Sequence, residues 1–174
     1  MSFVVISCSL NPDSNSRRLA SVVFKNLEGL DVDVEFVDMR DFKLPLCDGD
    51  ASYEDDAVVR ITKKLEKARG YIIAIPVYNF DANAVAKNLV ELTGSKVWED
   101  KVVGFVCAAG GRSSYMSIMG LANSLMLDFR CFILPRFVYA TDDAFRGDEV
   151  SDSKVKERLK ELSEDIVRVT NALK

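Results

Sequence analysis

Tyr71-Ile-Ile-Ala-Ile-Pro-Val-Tyr-Asn-Phe80 is the stretch that decides the fold. An apolar, β-branched run from Tyr71 to Ile75 reads as a buried strand. It meets Pro76, which has no N–H to add to a ladder, so the strand is expected to stop there. Tyr78 and Asn79 follow in a polar turn, and a helical pattern runs from Asn83 to Leu92, closed by Thr93-Gly94. Asn83 is a plausible N-cap, and Lys87 and Glu91 form an i,i+4 pair. A buried strand that ends in such a loop and feeds a helix is the site-bearing unit of open α/β sheets, where ligands bind outside the carboxyl ends of the strands.

The same unit repeats along the chain. Before it, Phe3–Cys8 is a first strand, apolar on both faces, and a helix starts near Ser14–Ser16. Leu19, Ala20, Val23, Phe24 and Leu27 give that helix one apolar face and Gly29 closes it. Val32–Val37 alternates and reads as a second, less buried strand. A loop over Asp41–Asp55 leads to a helix marked by Val58, Ile61, Leu65 and Ala68 and ended by Gly70. Further on, Val102–Ala108 is the fourth strand, Ala109–Ser114 a glycine-rich loop and Tyr115–Leu127 a helix. Cys131–Leu134 is the fifth strand, with a possible extension through Pro135 to Tyr139, and Val155, Leu159, Leu162, Ile166, Val169 and Leu173 stripe a last, charged helix. Five β-α units argue a parallel sheet covered on both sides. Five strands fit the order 2-1-3-4-5, whose switch point lies between strands one and three. The reading is one domain over residues 1–174, a flavodoxin-like α/β three-layer sandwich.

Composition bounds the function. With 48% apolar residues the chain is globular, and a net charge of −4 without a basic block argues against nucleic acid or an anionic membrane as partner. The absence of histidine excludes Ser-His-Asp and Cys-His catalysis and every His-ligated metal. Cys8, Cys47, Cys107 and Cys131 include no Cys-x-x-Cys pair and read as free thiols of a reducing cytoplasm. Met1–Ile6 has no charged n-region, so no signal peptide is expected, and no apolar run approaches the ~20 residues a membrane span needs.

The loops after strands one, three and four should converge. Ser9-Leu-Asn-Pro-Asp-Ser-Asn-Ser16 opens a helix, and its hydroxyls, backbone N–H groups and helix dipole can hold a phosphate without a cation. Arg17 and Arg18 follow in the first turn. It matches neither the P-loop nor the Gly-x-Gly-x-x-Gly dinucleotide fingerprint. Gly110 and Gly111 allow close approach of a flat ring. Cys107 and Arg112 invite comparison with a phosphatase loop, but four residues separate them where that loop needs five.

At these loops the chain resembles the NAD(P)H-dependent FMN reductases of flavodoxin-like fold. Their first loop reads Gly-Ser-x-Arg-x-x-Ser-x-Asn. Here Ser9 and Ser14 match its serines, while Cys8, Asn11 and Ser16 replace its glycine, arginine and asparagine. The family's Pro-x-Tyr-Asn, seven residues, then Lys-Asn-x-x-Asp is present as Pro76-Val77-Tyr78-Asn79 and Lys87-Asn88-Leu-Val-Glu91, with Asn83 at the family's proline. The resemblance implies that Ser9, Asn11, Ser14, Asn15 and Ser16 hold the FMN phosphate, with Arg17 as a candidate substitute for the missing arginine. It implies that Pro76, Val77, Tyr78 and Asn79 line the flavin ring and that Gly110, Gly111, Arg112 and Ser113 run along its edge. The implied activity is hydride transfer from NADPH or NADH through FMN to a small-molecule acceptor, with no catalytic side chain. The competing expectation is a flavodoxin-like electron carrier or a flavin sensor. The nearly uncharged Tyr115–Leu127 helix implies a homodimer or homotetramer interface through Met116, Met119, Leu121 and Met126.

Overall fold

A computed structural model describes residues 2–173. Its elements are β1 (Ser2–Ser7), α1 (Asn15–Glu28), β2 (Asp33–Asp38), α2 (Asp56–Leu65), β3 (Gly70–Tyr78), β4 (Asp81–Ala82), α3 (Ala84–Trp98), β5 (Val102–Ala108), α4 (Met119–Phe129), β6 (Phe132–Ile133), β7 (Val138–Ala140), β8 (Phe145–Arg146), β9 (Glu149–Val150) and α5 (Ser153–Ala172). The sheet runs β2-β1-β3-β5-β6, with β7 also on β5 and β4 also on β3. The order of the main strands is the one expected, but the sheet has seven strands rather than five.

The count differs for two reasons. The expected fifth strand is split. β6 pairs with Val102 and Val103, and β7 with Val106 to Ala108. Pro135 lies in the gap, and Arg136 there turns to Asp165 of α5 at 2.8 Å and also to Glu161. The other addition is β4, an antiparallel return onto the end of β3.

Pro76 does not end β3, which continues to Tyr78. The proline instead ends a ladder on one edge. Ala74 faces β1, because its carbonyl accepts from Cys8 N at 2.9 Å. Two residues on, Pro76 faces the same way, past the last β1 residue, Ser7. Val77 pairs with Ala82, so the next rung toward β4 would join Pro76 to Asn83. Without an N–H the proline leaves the Asn83 carbonyl to Ala86 and Lys87, at 3.1 and 3.5 Å, and α3 begins there. The two-residue turn between β3 and β4 holds Asn79 at φ 52° and Phe80 at φ 62°. Two positive φ values mark the hairpin turn whose twist matches that of its strands.

Both faces of the sheet are buried. Val4, Ile6, Tyr71, Ile73, Ile75, Phe105 and Cys107 pack with Ile61, Leu65, Leu89, Trp98, Leu121 and Leu125 of α2, α3 and α4. Phe3, Val5, Ile72, Ala74 and Val106 pack with Leu19, Val23, Leu27, Leu159, Leu162 and Ile166 of α1 and α5. α3 breaks at Gly94 (φ 53°, ψ −154°), and the last helical turn brings Trp98 into the core. That backbone conformation is nearly reserved to glycine. α4 begins later than expected, at Met119, after a 3-10 turn over Arg112–Ser114. It ends at Arg130 in the left-handed region, with the Arg130 N–H on the Met126 carbonyl. Leu121 is 4% exposed within the core, so it is not available to an interface. No helix among the described residues is long and apolar enough to cross a membrane.

Candidate active site

The site lies where β1 and β3 part company at their carboxyl ends. Ser9, Asn11, Ser14, Asn15 and Ser16 of the first loop, Pro76, Val77 and Tyr78 of β3, and Gly110 of the third loop line one depression of about 310 Å³. Ala108, Ala109, Asp13 and Asp142 complete it. Arg17, Asn79, Gly111, Arg112 and Ser113 do not line it, although the sequence put them in the same set.

Ser14 caps α1, its Oγ accepting from Arg17 N at 3.2 Å and lying 3.0 Å from Ser16 Oγ. The Arg18 N–H reaches the Ser14 carbonyl at 3.1 Å. The N–H groups of Asn15 and Ser16 have no carbonyl four residues back within the helix, and they face the loop with the positive end of its dipole. Ser9 Oγ accepts from Asn11 N at 3.2 Å, and Asn11 Oδ1 accepts from Asp13 N at 2.9 Å. The loop is thus fixed by its own side chains and presents peptide donors and hydroxyls. The Asn15 amide is engaged at both ends, Nδ2 donating to Asp142 at 3.0 Å and Oδ1 accepting from Arg18 at 2.7 Å. What Asn15 offers a ligand is therefore its backbone.

Arg17, the candidate substitute for the missing arginine, is engaged outside the depression. Its Nε donates to Asp38 Oδ2 at 2.7 Å and its guanidinium lies 5.7 Å from the centre of the Phe36 ring. Asp38, at the end of β2, also takes Arg40 Nη2 at 2.6 Å. Burial would raise the Asp38 pKa, but the bonds from Arg40 and Arg17 outweigh it and hold the carboxyl below its usual range. Arg17 is thus half of a brace between α1 and β2, a role set by a partner 21 residues away. Arg112 Nη2 donates to Asp143 at 2.7 Å, on the far side of the third loop.

Gly110 and Gly111 have open space in front of them, with nothing within 4 Å of where a Cβ would stand. The loop they form is tied down by Tyr139, whose hydroxyl donates to the Gly111 carbonyl and lies 2.7 Å from Ser114 Oγ. The donor set of the first loop suits a phosphate, and the Val77, Tyr78 and glycine walls suit a flat ring with a polar rim. On that chemistry the residues fit FMN.

Three contributors escaped the sequence reading. Asn83 donates its side-chain amide to the Cys8 carbonyl at 2.8 Å, joining the second loop to the first, instead of capping its own helix. Asp142 and Tyr139 come from the last third of the chain, and nothing in their local sequence marks them. Asn88, read only as part of a spaced motif, has a structural task. Its Oδ1 accepts from Cys47 N at 2.9 Å and its Nδ2 donates to the Pro45 carbonyl at 2.8 Å, clamping the Asp41–Asp55 loop.

Cys107 cannot be a phosphatase nucleophile. It sits in β5, paired on both sides, and burial pushes its thiol up to about 12. Cys8 is likewise pushed up to about 12 by burial and by Asp38. All four cysteines are free, and Cys47 alone is not buried. A thiol titration of the native protein near neutral pH is therefore expected to count one reactive cysteine per chain, and four in denaturant. Fast labelling of Cys107 in the native protein would contradict this burial.

Over residues 1–146 the sequence matches the family of NADPH-dependent FMN reductases. The chain belongs to that family. It is 30% identical over 147 residues to an NAD(P)H-dependent FAD/FMN reductase of Geobacillus thermodenitrificans, spanning 83% of this chain and 79% of that one. It is 25% identical over 173 residues to an NADPH azoreductase of Bacillus sp. strain OY1-2, spanning 99% and 92%. Among solved structures, FerB, a flavoenzyme NAD(P)H:acceptor oxidoreductase from Paracoccus denitrificans, superposes with a TM-score of 0.79 at 21% identity, covering 98% of this chain and 97% of that one. That last likeness speaks for the shared fold. The FMN reductase family thus supplies the frame in which the three loops are read.

Proposed function

We propose that this protein is an FMN-dependent NAD(P)H oxidoreductase whose flavin site is the three-loop depression. The observation that supports it most is the joint placement, at the β1–β3 switch point, of the capped first loop, the Pro76–Tyr78 wall and Gly110. The N–H groups of Asn15 and Ser16, with the hydroxyls of Ser9, Ser14 and Ser16, hold the phosphate. Pro76, Val77 and Tyr78 give the ring its wall, and Gly110 lets the backbone reach its edge. Bound FMN supplies the hydride and electron transfer itself, from NADH or NADPH to an acceptor such as free flavin, a quinone, an azo compound or iron. The protein's part is to bind, orient and partly exclude water, and no side chain is assigned a catalytic role.

Asn83 and Tyr139 keep that geometry, each tying one site loop to a neighbouring element. We read the protein as cytoplasmic, because four unpaired thiols fit a reducing compartment. We read it also as a homodimer or homotetramer. Met126 and Leu127 of α4 are exposed, Leu127 by 84%, while Met116 and Met119 pack partly on the core. Light scattering should give a mass of two or four chains, and a monomer at micromolar concentration would reject the interface.

The test of the function is anaerobic. Protein loaded with FMN is yellow, and NADPH or NADH should bleach it within the time of mixing. Persistent colour would favour a one-electron carrier or a flavin sensor. Failure to take up FMN at all would reject every flavin reading.

A further inference from the structure

A second cleft, of about 440 Å³, opens on the β7 side of the third loop. Arg112, Tyr115, Tyr139 and Asp143 line it together with Lys154 and Arg158 of α5. The two clefts share a partition. Gly110 lies in the first and Arg112 in the second, and the adjacent Asp142 and Asp143 divide in the same way.

The second cleft is lined by three cations, Arg112, Lys154 and Arg158, and by two carboxylates, Asp143 and Asp152. Asp152, on its border, accepts from Lys154 N at 2.7 Å and Val155 N at 3.0 Å, so it faces the first turn of α5. Neither Lys154 nor Arg158 is in an ion pair among the described residues. Arg158 donates Nη2 to the Phe137 carbonyl at 2.7 Å. Arg112 is paired with Asp143, but the two side chains are 84% and 61% exposed, and a pair so open to water exchanges readily for a better anion. Tyr115 stands half exposed beside these cations, edge-on to Tyr139 at 5.6 Å.

We propose that this cleft takes the 2′-phosphoadenosine end of NADPH, with Arg112, Lys154 and Arg158 on the 2′-phosphate and Tyr115 against the purine. The proposal rests on the flavin reading of the neighbouring depression, with which this cleft shares the 110–112 and 142–143 segments. A phosphomonoester is close to dianionic at neutral pH and offers three acceptor oxygens, which suits a guanidinium fork with two further cations. An aromatic face accepts a purine by stacking. NADH has no phosphate at that position, so the same three side chains discriminate between the two dinucleotides.

Calorimetry on the FMN-loaded protein tests this with 2′,5′-ADP and 5′-AMP as probes. Wild type should bind 2′,5′-ADP at least about tenfold more tightly than 5′-AMP. Lys154→Glu should weaken 2′,5′-ADP about tenfold, and Asp143→Asn, which removes the competing carboxylate, should tighten it several-fold. Glutamate is welcome in the first turn of a helix, so Lys154→Glu keeps α5. In turnover, Lys154→Glu should raise KM for NADPH about tenfold more than KM for NADH. Equal affinity for the two probes, or shifts of the same sign in the two variants, would overturn the proposal. Loss of the flavin reading shows separately, as failure to take up FMN or to be bleached.

Discussion

Ser14→Asp should raise the FMN dissociation constant at least about tenfold while leaving the protein folded. Aspartate is as good an N-cap as serine, so α1 keeps its start and the Arg17 N–H keeps its acceptor. What changes is charge. Ser14 is 6% exposed and points into the cluster with Ser16, at the place where a phosphate would sit. At about 4 Å and an effective dielectric near 20, two unit charges repel by ~4 kcal/mol. Half of that is already more than a factor of ten. Arg17 could swing in to offset it only by giving up its bond to Asp38, which would then rest on Arg40 alone. The measurement is a titration of flavin fluorescence against apoprotein, with far-UV circular dichroism to show that the helix persists. An unchanged dissociation constant would place the phosphate somewhere other than the first loop.

Trp98→Ala should be the most costly single change to stability, at about 3–5 kcal/mol. Trp98 is fully buried, its ring 4.9 Å from that of Tyr71 and its Nε1 on Thr93 Oγ1 at 2.8 Å. Its carbonyl accepts the Cys131 thiol. The indole fills the junction of α3, β3 and the segment before β6, which cannot collapse onto the gap because β5 is paired with β3 along its whole length. For a chain of this size the loss should lower Tm by about 10 °C. Trp98 precedes β5, whose far end carries the site, so the folded fraction should bind FMN with wild-type affinity. A Tm shift below about 3 °C would mean that the junction repacks.

The alternation of strands and helices was legible because each buried strand is apolar on both faces and α1, α2 and α5 each carry a single apolar stripe. The three loops were legible for a related reason, since polar residues after such strands have few structural excuses. What escaped depended on partners far away in sequence. Arg17 looks available until Asp38 is placed beside it, and the Asn15 amide until Asp142 is. Asn83 reads as a helix cap, yet its amide reaches Cys8, 75 residues away. Pro76 reads as a strand stop through its missing donor, yet β3 runs on to Tyr78 and the proline ends the ladder on one edge only, because which edge a residue faces depends on register. The break at Pro135 needed Arg136 and its acidic partners on α5 to explain it.

The turn at Asn79-Phe80 has a consequence for selection. A bulky residue at φ 62° costs of order 1–3 kcal/mol relative to glycine. Phe80 is 64% exposed, so little burial offsets that cost. A chain shaped for thermal endurance alone would hold glycine there. Phe80→Gly is accordingly expected to relieve backbone strain, and it would strip the exposed ring from the hairpin tip two residues beyond Tyr78. Hardiness and the shape of the hairpin tip are traded against each other at one position.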